Sequence, residues 1–179
     1  LVSAHREENV DHPDRLRALL DCLVAVREAY ALPVFVSTHP RTRKRLESLP
    51  EWTEPEGITF SDPLGFHDYN RLQLSAACCL SDSGTIAEES TLLGFPAVTL
   101  RDSIERPEAI DTGGILMTGL DQEDVVAAVG VAMAAGNTRD AASPRTPHDY
   151  MIDNTSERAV NFILSTARRH RAWAGIRSY

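Results

Sequence analysis

One pattern runs through the chain: three or four mostly apolar residues, a short polar turn, then a longer stretch with apolar residues at helical spacing. Residues 1–4 open the series. Val34-Phe35-Val36, Ile58-Thr59-Phe60, Cys78-Cys79-Leu80, Ala97-Val98-Thr99-Leu100 and Ile115-Leu116-Met117 continue it. Such runs are short for helices, and continuous apolar runs are how strands covered on both faces read. Between the first two runs, Leu16, Leu19, Leu20, Leu23 and Val24 fall at i, i+3, i+4, i+7 and i+8. That is an amphipathic helix, and Pro33 ends it. Residues 41–49 and 67–77 read as further helices, the second with Tyr69, Leu72 and Ala76 on one face. Residues 85–93 form another, stopped by Gly94 and Pro96. Asp121 caps a helix through about Ala135 with Val125, Val129 and Met133 as its stripe. Gly136 to Asp153 is polar and reads as a loop. A last helix is expected over 155–173, with Val160, Ile163, Leu164 and Ala167 inward.

Short buried strands alternating with amphipathic helices predict an α/β fold: a doubly wound parallel sheet, Rossmann-like. At 179 residues the chain is one ordinary domain or slightly more. In such sheets ligands sit beyond the carboxyl ends of the strands. The informative residues are therefore those just after each run. These are Ala4-His5-Arg6, Ser37-Thr38-His39, the turn Pro63-Leu64-Gly65 with Tyr69 beyond it, Asp82-Ser83-Gly84-Thr85, and Arg101 to Pro107.

Ser81 to Ser90, SDSGTIAEES, is the most informative of these. Ser83-Gly84-Thr85 would place free backbone N–H groups, two hydroxyls and a glycine at a helix start, which suits a phosphate. Glu88 and Glu89 follow one turn on, where a carboxylate can bridge the two hydroxyls of a ribose. The alternative is ordinary punctuation, with Ser83 as an N-cap and the glutamates favouring the helix dipole. Arg101 and Arg106 suit a diphosphate, with Asp102 and Glu105 holding them, or else form a surface salt-bridge cluster. His5 beside Arg6 suits action on a substrate or pairing with phosphate. His39 reads as structural, and His12, His67, His148 and His170 as surface residues.

Charge narrows the partners. Lys and Arg number 18 against 26 Asp and Glu, a formal net charge of −8. That argues against a general nucleic-acid surface and against an anionic membrane surface. The basic clusters Arg41, Arg43, Lys44, Arg45 and Arg168, Arg169, Arg171 read as solvated helix faces or as local patches. Cys22, Cys78 and Cys79 have no metal-ligand spacing, so no metal is expected. Their odd number fits a reducing, cytoplasmic compartment. Residues 1–4 read as a strand already under way, and one part of a longer protein is the expectation.

The segments SAHREEN, STHPRTRKRLE, PLGFHDYN, SDSGTIAEES and RDSIERPEAIDTGG occur in the order and spacing of one family. The chain resembles the non-hydrolysing UDP-N-acetylglucosamine 2-epimerases from Leu1 to about Ser165. The serine–glycine turn with paired glutamates and the Glu-Arg-Pro-Glu run are the most specific parts.

The resemblance implies a GT-B-type enzyme of two Rossmann-like domains, of which this chain is the C-terminal half. Residues 1–153 would be the UDP-binding domain, and residues 154–179 a C-terminal helix crossing toward an N-terminal domain absent here. Trp173 is then expected to lie exposed or in a contact between copies. The resemblance further implies that Ser83 and Gly84, with Thr85 in the same turn, bind the diphosphate. Arg106 lies near it, and Arg6, Arg101 and Glu105 lend support. Glu89 holds the ribose hydroxyls, Tyr69 meets the uracil through the backbone, and His5 is the catalytic histidine. The implied reaction eliminates UDP across C1–C2, passes through 2-acetamidoglucal and adds UDP back after C2 inversion. It needs no cofactor, and the full-length enzyme is implied to be a homodimer. Thr85 departs from the common pattern, which has a second glycine there. In this and other segments the chain is similar to a branch acting on UDP-2-acetamido-2,6-dideoxy-L-hexoses for capsule precursors. A GT-B glycosyltransferase half and a non-catalytic nucleotide-sugar-binding module are the alternatives.

Overall fold

A computed structural model describes residues 1–50, 52–136 and 145–176. In chain order the elements are β1 (Val2–Ser3), α1 (Glu7–Val10), α2 (Pro13–Tyr30), β2 (Val34–Ser37), α3 (Pro40–Glu47) and β3 (Ile58–Ser61). There follow α4 (Phe66–Ser75), β4 (Cys79–Ser81), α5 (Ile86–Leu93), β5 (Ala97–Thr99), α6 (Glu108–Asp111), β6 (Leu116–Met117) and α7 (Gln122–Ala135). The strands make one sheet in the order β3-β2-β1-β4-β5-β6, parallel at every pairing. This is the doubly wound order that the alternating pattern predicts.

The winding positions the site. From β1 the chain proceeds outward through β2 to β3, then returns to β4 and proceeds outward the other way. The reversal falls between β1 and β4, where Val2 lies opposite Leu80 and Ser3 opposite Ser81. Loops leaving the carboxyl ends of these neighbours part in opposite directions, and a crevice opens between them.

The sheet is held by apolar burial. Val2, Val36, Leu80 and Leu100 join Leu16, Leu23 and Val129 in one core. Each such fully buried side chain stabilises the fold by about 1.5–3 kcal/mol. Helix α2 lies against α7, and the Tyr30 hydroxyl donates to the Val126 carbonyl at 2.6 Å. Gly130 permits this approach, since a Cβ there would come within 2.6 Å of the Tyr30 hydroxyl oxygen. On α7 the stripe is Val125 and Val129, both buried, with Met133 partly buried.

Helix α4 departs from its pattern. It stops at Ser75, before Ala76, and Leu72 is 38% exposed, while Gln73 is 1% exposed and is its buried residue. Its inward face is set by a polar contact described below, not by its apolar residues.

The chain divides into two compact units, Leu1–Pro147 and His148–Tyr179. In the second, a 3₁₀ turn (His148–Met151) precedes α8 (Thr155–Thr166), another 3₁₀ turn (Ala167–Arg169) and α9 (His170–Trp173). The single helix expected over 155–173 is thus interrupted. The stripe expected to face inward is exposed: Val160, Ile163 and Leu164 at 52%, 58% and 77%, with Ala167 also exposed. The reason is that one layer of helix offers its own unit no facing layer to bury against. Trp173 is 71% exposed, as expected, with the edge of Phe162 against it, ring centroids 5.8 Å apart. Residues 137–144 of the Gly136–Asp153 loop lie outside the described residues. Among the described residues, no helix is long and apolar enough to cross a membrane.

Ala31 ends α2 in the left-handed region, at φ 52° and ψ 27°. An L-residue with a Cβ is strained there, and glycine is not. Ala31→Gly should therefore stabilise the fold by about 0.5–1 kcal/mol, read as a higher urea midpoint, even though glycine raises unfolded-state entropy. A lowered midpoint would contradict the strained cap.

Candidate functional site

The crevice between β1 and β4 is built around a carboxylate. Asp82 follows β4 directly and is fully buried. Its Oδ1 and Oδ2 accept the His5 backbone N–H at 3.0 and 3.1 Å. Its Oδ2 also accepts the Arg6 N–H at 3.0 Å and the Asn9 side-chain amide at 3.1 Å. The same amide of buried Asn9 donates to the Leu100 carbonyl at 3.0 Å. Arg15 donates to Asn9 Oδ1 at 2.9 Å and pairs with Asp102 at 2.7 Å. One carboxylate thus fixes the loop after β1 to the end of β4, and Asn9 carries the connection to β5.

His5 is held within that loop. Its Nδ1 lies 3.6 Å from Asp82 Oδ1, a charge contact too long for a hydrogen bond. The His39 ring centroid is 5.3 Å away. His39 itself is structural: its Nδ1 accepts the Arg41 N–H at 3.1 Å and caps α3.

Beside His5, two guanidinium groups meet over the glycine of the β4–α5 turn. A Cβ placed on Gly84 would lie 3.6 Å from a terminal nitrogen of Arg6 and 3.7 Å from one of Arg106. Arg106 donates to the Gly84 carbonyl at 3.1 Å and is paired with Glu88. Among the described residues, Arg6 has looser ionic contacts, 3.9 Å to Glu8 and 3.9 Å to Glu105. Two cations above a helix start form a cradle for an anion with more than one negative charge. The other arginine is differently used. Arg101 is buried, and Glu105 closes its fork at 2.7 and 2.8 Å. It braces the loop and offers no free face to a ligand. Asp102 holds Arg15, not Arg101 or Arg106 as expected.

One helical turn along α5, Glu89 is fixed from both sides. Gln73 donates to its Oε2 at 2.8 Å and the Thr85 hydroxyl to its Oε1 at 2.6 Å. Tyr69, four residues before Gln73, is half-buried in the same region. Burial pushes its hydroxyl up to about 12 against the opposing effect of a hydrogen bond with Ser3, so the phenol stays neutral. The backbone N–H of Tyr69 donates to the Gly65 carbonyl at 2.9 Å. That donor is therefore committed to the helix. The α4 N–H groups without an intrahelical acceptor are those of Phe66, His67 and Asp68.

His5, Arg6, Ser83, Gly84, Thr85, Glu89 and Arg106 therefore lie next to one another beyond the carboxyl ends of β1 and β4. The sequence places Asp82 in one of the informative turns but assigns it no role, and it does not single out Asn9 or Gln73. Asp82 carried a signal, a charged residue directly after an apolar strand. Gln73 carried none, because a glutamine in a helix gives no indication of which way it faces. Among the described residues, no group of three His, Cys, Asp or Glu is placed to hold a metal ion.

The family profile described as UDP-N-acetylglucosamine 2-epimerase matches residues 1–164. A UDP-N-acetylglucosamine 2-epimerase of Methanocaldococcus jannaschii is 33% identical over 136 residues, covering 74% of this chain and 37% of that protein. A UDP-2,3-diacetamido-2,3-dideoxy-D-glucuronate 2-epimerase of Pseudomonas aeruginosa is 33% identical over 126 residues, 70% of this chain and 34% of that protein. A solved structure of the Methanocaldococcus jannaschii UDP-GlcNAc 2-epimerase, in complex with UDP-GlcNAc and UDP, superimposes with a TM-score of 0.74 at 29% identity. It covers 92% of this chain and 44% of that one. The chain thus spans less than half the length of these relatives.

Two measurements follow from the geometry. Asp82→Ala strips three donors, one of them buried, of their acceptor and should cost about 3–5 kcal/mol in urea denaturation, while Asp82→Asn, which keeps one oxygen, should cost about 1–3 kcal/mol. Amide exchange should quicken first at His5 and Arg6; a uniform change across the sheet would contradict the local role. Separately, the Arg101 hydrogen bonds pull the Glu105 carboxyl from 4.5 down to about 2. With the folded value depressed, the stability this pair contributes is present above the unfolded value and lost as pH falls toward the folded one. A carbon-13 titration should find Glu105 ionised down to about pH 2. Arg101→Lys, lacking the fork, should return it toward the ordinary carboxylate range.

Proposed function

This chain belongs to the UDP-N-acetylglucosamine 2-epimerase family, and we propose that it is the UDP-binding half of a UDP-amino-sugar 2-epimerase, converting UDP-N-acetylglucosamine to UDP-N-acetylmannosamine. The observation that carries this reading is the meeting of Arg6 and Arg106 over Gly84, one helical turn from a carboxylate held by Gln73 and Thr85. A diphosphate and a vicinal diol are separated by about that span in a nucleoside diphosphate, and few other ligands carry both.

Each residue then has a task in the elimination and re-addition of UDP. As the C2 proton leaves to a base of the N-terminal domain and the bond from sugar C1 to the phosphate oxygen breaks, negative charge grows on the departing diphosphate. The guanidinium groups of Arg6 and Arg106 stabilise that charge most where it is largest. Glu89 accepts the ribose hydroxyls, so UDP stays seated while the glycal turns or its other face is protonated. His5, with Nδ1 turned to Asp82, holds or passes a proton at the crevice edge. The uracil contact is assigned to the first turn of α4, next to Tyr69 rather than on its N–H. Residues 154–179 would complete the enzyme by crossing toward the N-terminal domain.

The same reading places the protein in the cytoplasm, supported by three buried free thiols, Cys22, Cys78 and Cys79. Burial pushes Cys78 up to about 12 and Cys79 to about 11, so neither is a ready nucleophile. A homodimeric full-length enzyme is proposed on the family resemblance alone.

Calorimetry tests the site. Glu89→Ala should weaken UDP binding about tenfold or more, the loss of one or two hydrogen bonds to a charged group, and leave inorganic phosphate nearly unchanged, because only UDP has a ribose. Equal losses for both ligands would remove the ribose assignment. The chain alone should bind UDP without inverting C2, followed by proton NMR of UDP-N-acetylglucosamine in deuterated water. Turnover above background would show that the second domain is not required.

A further inference from the structure

The hydroxyls of the β4–α5 turn form a chain whose proton directions are fully determined. Glu89, as a carboxylate, can only accept, so the Thr85 hydroxyl must donate its single proton to Oε1 at 2.6 Å. Ser83 Oγ and Thr85 Oγ1 lie 3.1 Å apart, and either atom could donate. Thr85 has no proton left, so Ser83 is the donor. Ser83 Oγ also accepts the Thr85 backbone N–H at 3.3 Å, and the Ser83 N–H is already given to Ser81 Oγ at 3.1 Å. In the unliganded chain, then, both donors of Ser83 are committed. A phosphate is an acceptor too, and it can use Ser83 only by drawing the hydroxyl proton away from Thr85.

We propose that Thr85 is a positioning residue that joins the diphosphate and ribose subsites into one hydrogen-bonded unit, so that an anion at Ser83 and a diol at Glu89 strengthen each other's binding. Hydrogen bonds in a chain polarise one another. While Ser83 donates to Thr85, the Thr85 hydroxyl is a stronger donor and occupies Glu89 more firmly. When a phosphate takes the Ser83 proton, that reinforcement ends, and Glu89 becomes the better acceptor for the ribose hydroxyls. A ligand carrying only phosphate or only a diol obtains one half of the effect. Gln73 remains on Oε2 throughout and keeps the carboxylate in place. A glycine at this position would leave Ser83 and Glu89 independent. The coupling belongs to the side chain of Thr85, which is exposed at the helix start and is replaced without disturbing the core.

This inference rests on the nucleotide reading for its ligand but not for its first measurement. In the unliganded chain, carbon-13 spectra of the glutamate carboxyls should show the Glu89 resonance moving on Ser83→Ala. It should move again in a Thr85→Ser background, which keeps the hydroxyl, and stay still in Thr85→Val, which keeps the shape. No movement in the native background, or equal movement with Thr85→Val, overturns the proposal. With UDP, the product of the losses from Ser83→Ala and Glu89→Gln should exceed the loss of the double variant about threefold or more, the range of neighbouring coupled residues. In Thr85→Val the losses should simply multiply, and simple multiplication in the native background also overturns the proposal. Intact carboxyl coupling in a chain that fails to bind UDP upholds the relay and removes the nucleotide reading.

Discussion

The site depends on the carboxylate of Asp82. It is fully buried, and an unpaired carboxylate in such a place would be very costly. Three neighbouring donors make it tolerable: the N–H groups of His5 and Arg6 and the amide of Asn9. The dependence is mutual, since the Asn9 amide is buried with it. Two adjacent backbone N–H groups aimed at one carboxylate leave the chain after β1 little freedom. The His5 ring and the Arg6 guanidinium are set in place as a consequence.

From that point the charges follow an order. Arg6 lies over Gly84 with loose ionic partners, so it retains most of its capacity for a ligand. Arg106 is anchored by Glu88 and the Gly84 carbonyl, which directs it to the same spot. Arg101 is spent inside the protein on Glu105 and Glu8. Three arginines close in space thus divide into one loosely paired, one steered and one structural, and the structural one, Arg101, is the one that is buried. Hydrogen bonds made before any ligand arrives reduce the ordering that binding would otherwise require.

The second unit shows the opposite condition. Helix α8 carries an apolar stripe at good spacing, yet Val160, Ile163 and Leu164 are exposed. Amphipathic spacing states that a face will be covered; it does not state by what. Helix α4 errs in the other direction: Leu72 belongs to the stripe but Gln73 is the buried residue, because Glu89 offers Gln73 a charged acceptor. Functional sites are where local pattern and tertiary position part company.

Periodicity by itself determined the sheet. Runs such as Val34-Phe35-Val36 and Ala97-Val98-Thr99 read as strands, and the helical stripes between them require parallel crossovers, although Phe35 is left half-buried where Ala97–Thr99 is buried throughout. Chemistry at the strand ends was legible for the same reason, since the fold places those turns together, and SDSGTIAEES with ERPEA marked the anion and diol groups. What the sequence left open was settled only by distance. Whether Arg101 meets a ligand or Glu105, whether Ser83 has a proton to give, and whether Gln73 points inward depend on contacts between residues far apart in the chain, such as His5 with Asp82 and Gln73 with Glu89. A hydrogen bond is made or lost within a fraction of an ångström, and a linear pattern carries no information at that scale.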